Sequence, residues 1–367
     1  MSKKILPFKY PLITSFGGTA ETFGILACHE EALDWLYSHY LQFYATQTIV
    51  DDFNDYNPTI GYAPNFFADF DNRRLASSIN YNVFLNREGC PYLNVFETPL
   101  DLISSFDISF VNYIKRNIDM GMYTFGFGDV TKIFEYGYDA PTEMSYHPVF
   151  IYGYDDETRE FNFADFLAEG KYTLAKCSYE EVEAAFKGIN RYQLPLIKSI
   201  ASIQYTDNAS FKFDYSYILD SVKEYLYPDS KRAERFEKYS TSFFAPMRWH
   251  AKVFAGINAY DFFIEFIDIE QQLGIYPSDH RPIHSMCDHK ELMVSRIEYL
   301  IGKGCIGGDK RPLLSEYEKV RDTAVEARNL LLKYNIKRQP ELLDRVKSAL
   351  RTVKEAEATL LKQIFDV

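Results

Sequence analysis

Near residue 212 the apolar period of this 367-residue chain changes, and that switch restricts its fold more than any other feature. Upstream, Met122–Phe127, His147–Tyr154 and Glu160–Phe166 are aromatic-rich runs of strand character, the last two separated by the polar turn Asp155-Asp156-Glu157-Thr158. Downstream the period is helical, with segments expected near 214–226, 230–240, 246–273, 285–302, 313–333 and 340–364. Upstream helices are expected at 28–43, 101–118 and 178–188, and a further strand near 194–205. The class is therefore α+β, with a mixed domain over 1–205 and an all-helical domain over 206–367.

Charge divides at nearly the same place. The net charge is −12, and residues 1–205 hold all of it, with 15 Lys+Arg against 27 Asp+Glu; residues 206–367 hold 25 of each. An acidic chain of this kind argues against nucleic acid as the partner. Aromatics make up 17% of the residues, ample apolar surface for a folded core. The chain has no run of about 18 apolar residues and no signal-peptide pattern at its start, which points to the cytoplasm and away from a membrane. Five cysteines without a CxxC pair indicate neither a disulfide framework nor a thiolate zinc site.

Three residues fit nucleophilic catalysis. Cys28 is expected in the first turn of the 28–43 helix, where the helix dipole would lower its pKa. His147 opens one hairpin strand and Asp165 closes the next, each nine residues from Asp156, so the two should meet across the ladder. A carboxylate on one imidazole nitrogen leaves the other to act on a thiol. The plainer readings are a buried filler cysteine and a surface histidine at a strand end.

The runs Cys28-His29-Glu30-Glu31-Ala32-Leu33, His147-Pro148-Val149-Phe150-Ile151-Tyr152-Gly153-Tyr154-Asp155-Asp156 and Phe161-Asn162-Phe163-Ala164-Asp165 resemble the papain-like cysteine-protease fold. Within it, they are most similar to the branch of double-glycine leader peptidases and butirosin-type acyltransferases. The resemblance covers about 15–205, and an appended helical domain fits the acyltransferases. It implies an ATP-independent amide synthase: Cys28, activated by His147 and oriented by Asp165, takes an acyl group from a carrier-protein phosphopantetheine thioester and passes it to a small amine. The setting would be thiotemplated antibiotic assembly of butirosin or closthioamide type, with no further cofactor. Papain-like enzymes place an oxyanion-binding Gln six residues before the nucleophile; here that position is Thr22. A peptidase or amidase of the same fold, and a non-catalytic binding scaffold, are the alternatives.

The remaining signals are weaker. His280, His284, Cys287, Asp288 and His289 cluster, but Pro282 should interrupt a helix carrying them, so no metal site is expected. Gly17-Gly18-Thr19 and the run Gly302–Gly308 lack the ending of a phosphate-binding loop. Asp51, Asp52, Asp55, Asp69 and Asp71 form either a solvated loop or a field attracting a polycationic amine. Lys333, Lys337 and Arg338 are the densest basic group of the helical half and the expected dock for an acidic carrier protein.

Overall fold

A computed structural model of the protein describes residues 2–15, 17–50, 62–68, 90–106, 108–138, 145–167, 170–187, 189, 199–228, 249–273, 276–278 and 280–367. In chain order its elements are β1 (Lys3–Ile5), α1 (Thr19–Leu26), α2 (Leu33–Ser38), β2 (Phe43–Val50), β3 (Tyr62–Ala68), β4 (Leu93–Pro99), α3 (Leu100–Ser105), α4 (Phe110–Asp119), β5 (Met122–Asp129), β6 (Tyr146–Asp155), β7 (Glu160–Phe166), β8 (Tyr172–Ser178), α5 (Tyr179–Lys187), β9 (Ser199–Tyr205), α6 (Tyr215–Leu226), β10 (Trp249–Ala255), α7 (Ala259–Leu273), α8 (Arg281–Gly302), α9 (Arg311–Lys337) and α10 (Pro340–Phe365). Short 3-10 turns, among them Glu30–Ala32 and Phe134–Tyr136, lie between them. The protein is α+β. Among the described residues no helix is long and apolar enough to cross a membrane. The acidic positions 51, 52, 55, 69 and 71, the 230–240 helix and Gly188 lie outside the described residues.

The chain divides into two compact units, Met1–Leu33 with Tyr81–Phe211, and Asp34–Asn80 with Lys212–Val367. The continuous 1–205 domain is therefore corrected: a stretch of the first half belongs to the helical unit. That unit is not all-helical either, because β2 from this stretch pairs with β10 on one side and β3 on the other, antiparallel throughout. The single helix read over 246–273 is in fact β10 followed by α7. Gly256 separates them at φ 53°, where an added Cβ would lie 2.2 Å from the Tyr225 carbonyl oxygen. No L side chain fits that turn.

In the first unit an antiparallel sheet runs in the order β4-β9-β5-β6-β7-β8, with β1 paired to β6. Small residues shape its packing. Gly126 on β5 leaves room for Phe186, and Gly128 for Ala185, so α5 lies close against the strand. Elsewhere Gly24 brings α1 against the N-terminal segment, and Lys9 N–H donates to its carbonyl at 3.0 Å. An added Cβ at Gly24 would lie 2.1 Å from the Phe8 ring.

All eight residues of α1, Thr-Ala-Glu-Thr-Phe-Gly-Ile-Leu, are buried. A wholly buried helix has no polar face, so it carries no amphipathic period for a sequence reading to find. This is why the expected 28–43 helix is replaced by α1, the Glu30–Ala32 turn, α2 and the start of β2. In the second unit α10 buries Leu343, Val346, Leu350, Val353, Leu361 and Ile364, a seam at helical spacing.

Candidate active site

The site begins with a hairpin. Strands β6 and β7 pair Asp155 with Glu160 and Phe150 with Ala164, and the register shifts between Ile151 and Gly153. The turn therefore centres between residues 157 and 158, not on Asp156. Continued one step, the ladder sets Asp165 opposite Val149. His147 lies two residues further on, which keeps it on the same face and makes its contact with Asp165 diagonal rather than direct. His147 Nδ1 lies 2.6 Å from Asp165 Oδ2.

Asp165 is 1% exposed and held on every side. Phe166 N–H donates to its Oδ1 at 2.7 Å, and the Tyr136 hydroxyl donates to the same Oδ2 that meets His147. Burial pushes the Asp165 pKa up, and the bonds from His147, Tyr136 and Phe166 oppose this in part. For His147, burial disfavours the imidazolium, but the hydrogen bond to Asp165 and the charge of Asp165 outweigh it, leaving the pKa above its ordinary value. With Nδ1 facing the carboxylate, the neutral tautomer carries its proton there and its basic lone pair on Nε2. The His147 side chain is 39% exposed, so the imidazole is open to a substrate while its partner is closed off.

Two further residues complete the buried side. Glu21 of α1 is 1% exposed; it accepts from the Gly18 N–H and, at 3.0 Å, from the Tyr172 hydroxyl. Burial raises its pKa to about 7, and the nearby charge of Asp165 adds to the effect. Tyr136, Glu21 and Tyr172 were not among the residues singled out from sequence. For Glu21 a signal exists, since it is the one acid in an otherwise uncharged helix. The tyrosines give none among 29.

Cys28 is not where the sequence reading placed it. It follows the carboxyl end of α1, its backbone N–H donates to Ile25, and its thiol donates to the Gly24 carbonyl at 3.4 Å. The carboxyl end of a helix disfavours a thiolate. Burial raises the Cys28 pKa, with Lys9 pulling the other way, so the expected depression is corrected to a rise.

The thiol of Cys28 is hydrogen-bonded to Gly24 of the helix it follows, while His147 pairs with Gly128 on β5. Gly17, just before the amino end of α1, lies beside the two strands that carry the pair. A Cβ built there would lie 3.9 Å from Pro148 Cγ and 4.0 Å from Phe166 Cε2, the neighbours of His147 and Asp165.

Several of the remaining sequence candidates are otherwise engaged. Thr22 is 1% exposed and its hydroxyl donates its one proton to the Gly18 carbonyl at 2.8 Å. Pro282 does not interrupt a helix; it sits in the first turn of α8, where a missing N–H costs nothing. His289 Nε2 lies 2.7 Å from the Leu41 carbonyl oxygen, and His284 Nδ1 lies 3.1 Å from Arg328. Among the described residues no three His, Cys, Asp or Glu side chains gather as a metal site. Lys333 and Lys337 are exposed at the carboxyl end of α9, while the Arg338 guanidinium stacks 3.8 Å over the Tyr276 ring. No family model and no curated protein matches this chain.

Proposed function

We propose that the protein is an acyltransferase of papain-like architecture that joins an acyl group from a thioester to an amine, with His147 as general base and no covalent intermediate on Cys28. The observation that carries this is the His147–Asp165 pair: a half-exposed imidazole whose Nδ1 is tied to a buried, doubly anchored carboxylate. Such a pair moves protons whichever nucleophile is present. With the Cys28 thiol raised in pKa and bonded to the Gly24 carbonyl, the nucleophile is supplied by the acceptor. The amine nitrogen attacks the thioester carbon, a C–N bond forms and the C–S bond breaks. His147 takes a proton from the amine and returns it to the departing sulfur. Aminolysis of a thioester is downhill, so no nucleotide is needed.

A carrier-borne phosphopantetheine is the proposed donor, and exposed Lys333 and Lys337 suit an acidic carrier. The acidity of residues 1–205 favours a cationic acceptor such as a diamine. A peptidase of this fold needs an activated thiol, and the pKa of Cys28 is raised rather than lowered. The same raised pKa favours a second reading, a non-catalytic scaffold that binds a partner at this face.

The test uses an N-acetylcysteamine thioester and a diamine, with amide formation followed by mass spectrometry. His147→Ala should abolish transfer, whereas Cys28→Ala should change it by less than about twofold. Loss of transfer in Cys28→Ala with the fold retained would restore the covalent route. Absence of transfer in the parent with several donors would favour the scaffold.

A further inference from the structure

We propose that Glu21 is a positioning residue of the His147–Asp165 pair, a second buried carboxyl whose charge reaches the imidazole across the contacting rings of Tyr172 and Phe166. The inference rests on reading His147 as the base. Its ground is the geometry around the Glu21 carboxyl, where Gly18 N–H binds one oxygen and the Tyr172 hydroxyl the other. Tyr172 pairs with Phe166 across β8 and β7, their rings 5.4 Å apart, and the Phe166 ring lies 6.3 Å from the His147 imidazole, so contacts run unbroken from Glu21 to the base.

The groups acting on Glu21 from the packed elements are Asp165 on β7 and Tyr172 on β8. Glu21 in turn acts on His147 of β6 and on Tyr136 of the Phe134–Tyr136 turn. None of these is a lysine or arginine. A buried carboxyl held by two neutral donors stays protonated until the surroundings can bear a second negative charge beside Asp165. When it ionises, its field favours the imidazolium. Because this coupling is reciprocal, protonation of His147 makes Glu21 easier to ionise, and the two titrate as a linked pair. A proton leaving Glu21 therefore strengthens the base in the pH range where amine acceptors begin to lose theirs.

A readout independent of activity is the pH titration of the His147 imidazole C–H resonance in the full chain, assigned by its loss in His147→Ala. In Glu21→Gln the midpoint should fall by roughly half a pH unit, because a screened buried charge has been removed. Tyr172→Phe provides a second variant should Glu21→Gln not fold. Removing a hydroxyl that favours the carboxylate delays Glu21 ionisation, so its pull on His147 at neutral pH weakens and the midpoint again falls. An unchanged midpoint in either folded variant overturns the role of Glu21 and leaves the acyl-transfer reading standing. A shifted midpoint in a protein without transfer activity supports Glu21 and removes that reading.

Discussion

Glu21 of the first unit and Glu357 of the helical unit occupy similar sequence settings and behave differently in the fold. Each is an acid in a buried helical stripe: Glu21 in the uncharged α1, and Glu357 on α10 between Val353 and Leu361 of the core seam. Glu357 meets a complete set of partners. Lys290 lies 2.5 Å from one oxygen, the Tyr317 hydroxyl donates to that oxygen at 2.5 Å, and Tyr225 and Tyr260 donate to the other at 2.9 and 2.7 Å. Lys290 in turn reaches His289 Nδ1 at 2.9 Å. Glu21 has two neutral donors and a second carboxylate close by. A balanced buried charge fixes how helices pack, whereas an unbalanced one next to a half-exposed imidazole remains free to exchange a proton.

The largest effect that would sharpen this contrast is on rate. Asp165→Asn should keep the fold and its melting temperature but slow amide formation by about 10²–10⁴, because an amide neither fixes the His147 tautomer nor stabilises the imidazolium. Rates on the N-acetylcysteamine donor measure this; parental activity in the variant would remove Asp165 from the site.

Breaking the balanced cluster should instead cost stability. Glu357→Ala leaves the Lys290 charge buried without its counterion and should lower the unfolding free energy by about 3–5 kcal/mol, read from urea melts. The pair Lys290→Met with Glu357→Gln, which keeps an amide oxygen for the tyrosine hydroxyls, should recover part of that loss. If the double variant is no more stable than the single one, the cluster is not a balanced pair.

The unbalanced acid should appear in the pH dependence of stability. Glu21 titrates at about 7 in the fold against 4.5 when exposed, so the folded state holds this proton to higher pH than the unfolded state. Its contribution is complete below about pH 4.5 and is lost as pH rises through about 7, by about 3 kcal/mol in all. Glu21→Gln should flatten that slope in denaturant titrations across pH 4.5–8. A parental slope in the variant would place the effect on another group.

Two smaller effects concern Cys28 and the basic end of α9. Iodoacetamide at neutral pH should label Cys28 no faster than an ordinary exposed thiol, since its pKa is raised rather than lowered. Preferential labelling would revive it as a nucleophile. Reversing Lys333 and Lys337 to Glu should slow transfer from a carrier-bound thioester several-fold and leave the N-acetylcysteamine donor unchanged. Equal losses on both donors would indicate damage to the fold.

What could be read without the structure was whatever a local period encodes. The alternation of β6 and β7 and their intervening turn suggest one face for His147 and Asp165; the displaced turn centre alone would have reversed it, and the one-residue register shift between Ile151 and Gly153 restores it. The recurring apolar positions of α10 likewise mark its buried stripe. Glu21 and Glu357 could both be seen as acids interrupting apolar helices.

Period says which face is buried but not what lies against it. Lys290 reaches Glu357 from a helix 67 residues away, and Tyr136 reaches Asp165 from a turn 29 residues away. The exchange of 34–80 into the helical unit depends on β2 pairing with β10 about 200 residues downstream. Cys28 was misplaced because α1, buried all round, has no polar face to mark where it begins and ends. Long-range packing alone decided that Tyr136 closes off Asp165 while His147 stays half-exposed, since hydrophobic burial is non-directional and only the assembled sheet determines which polar groups it leaves open.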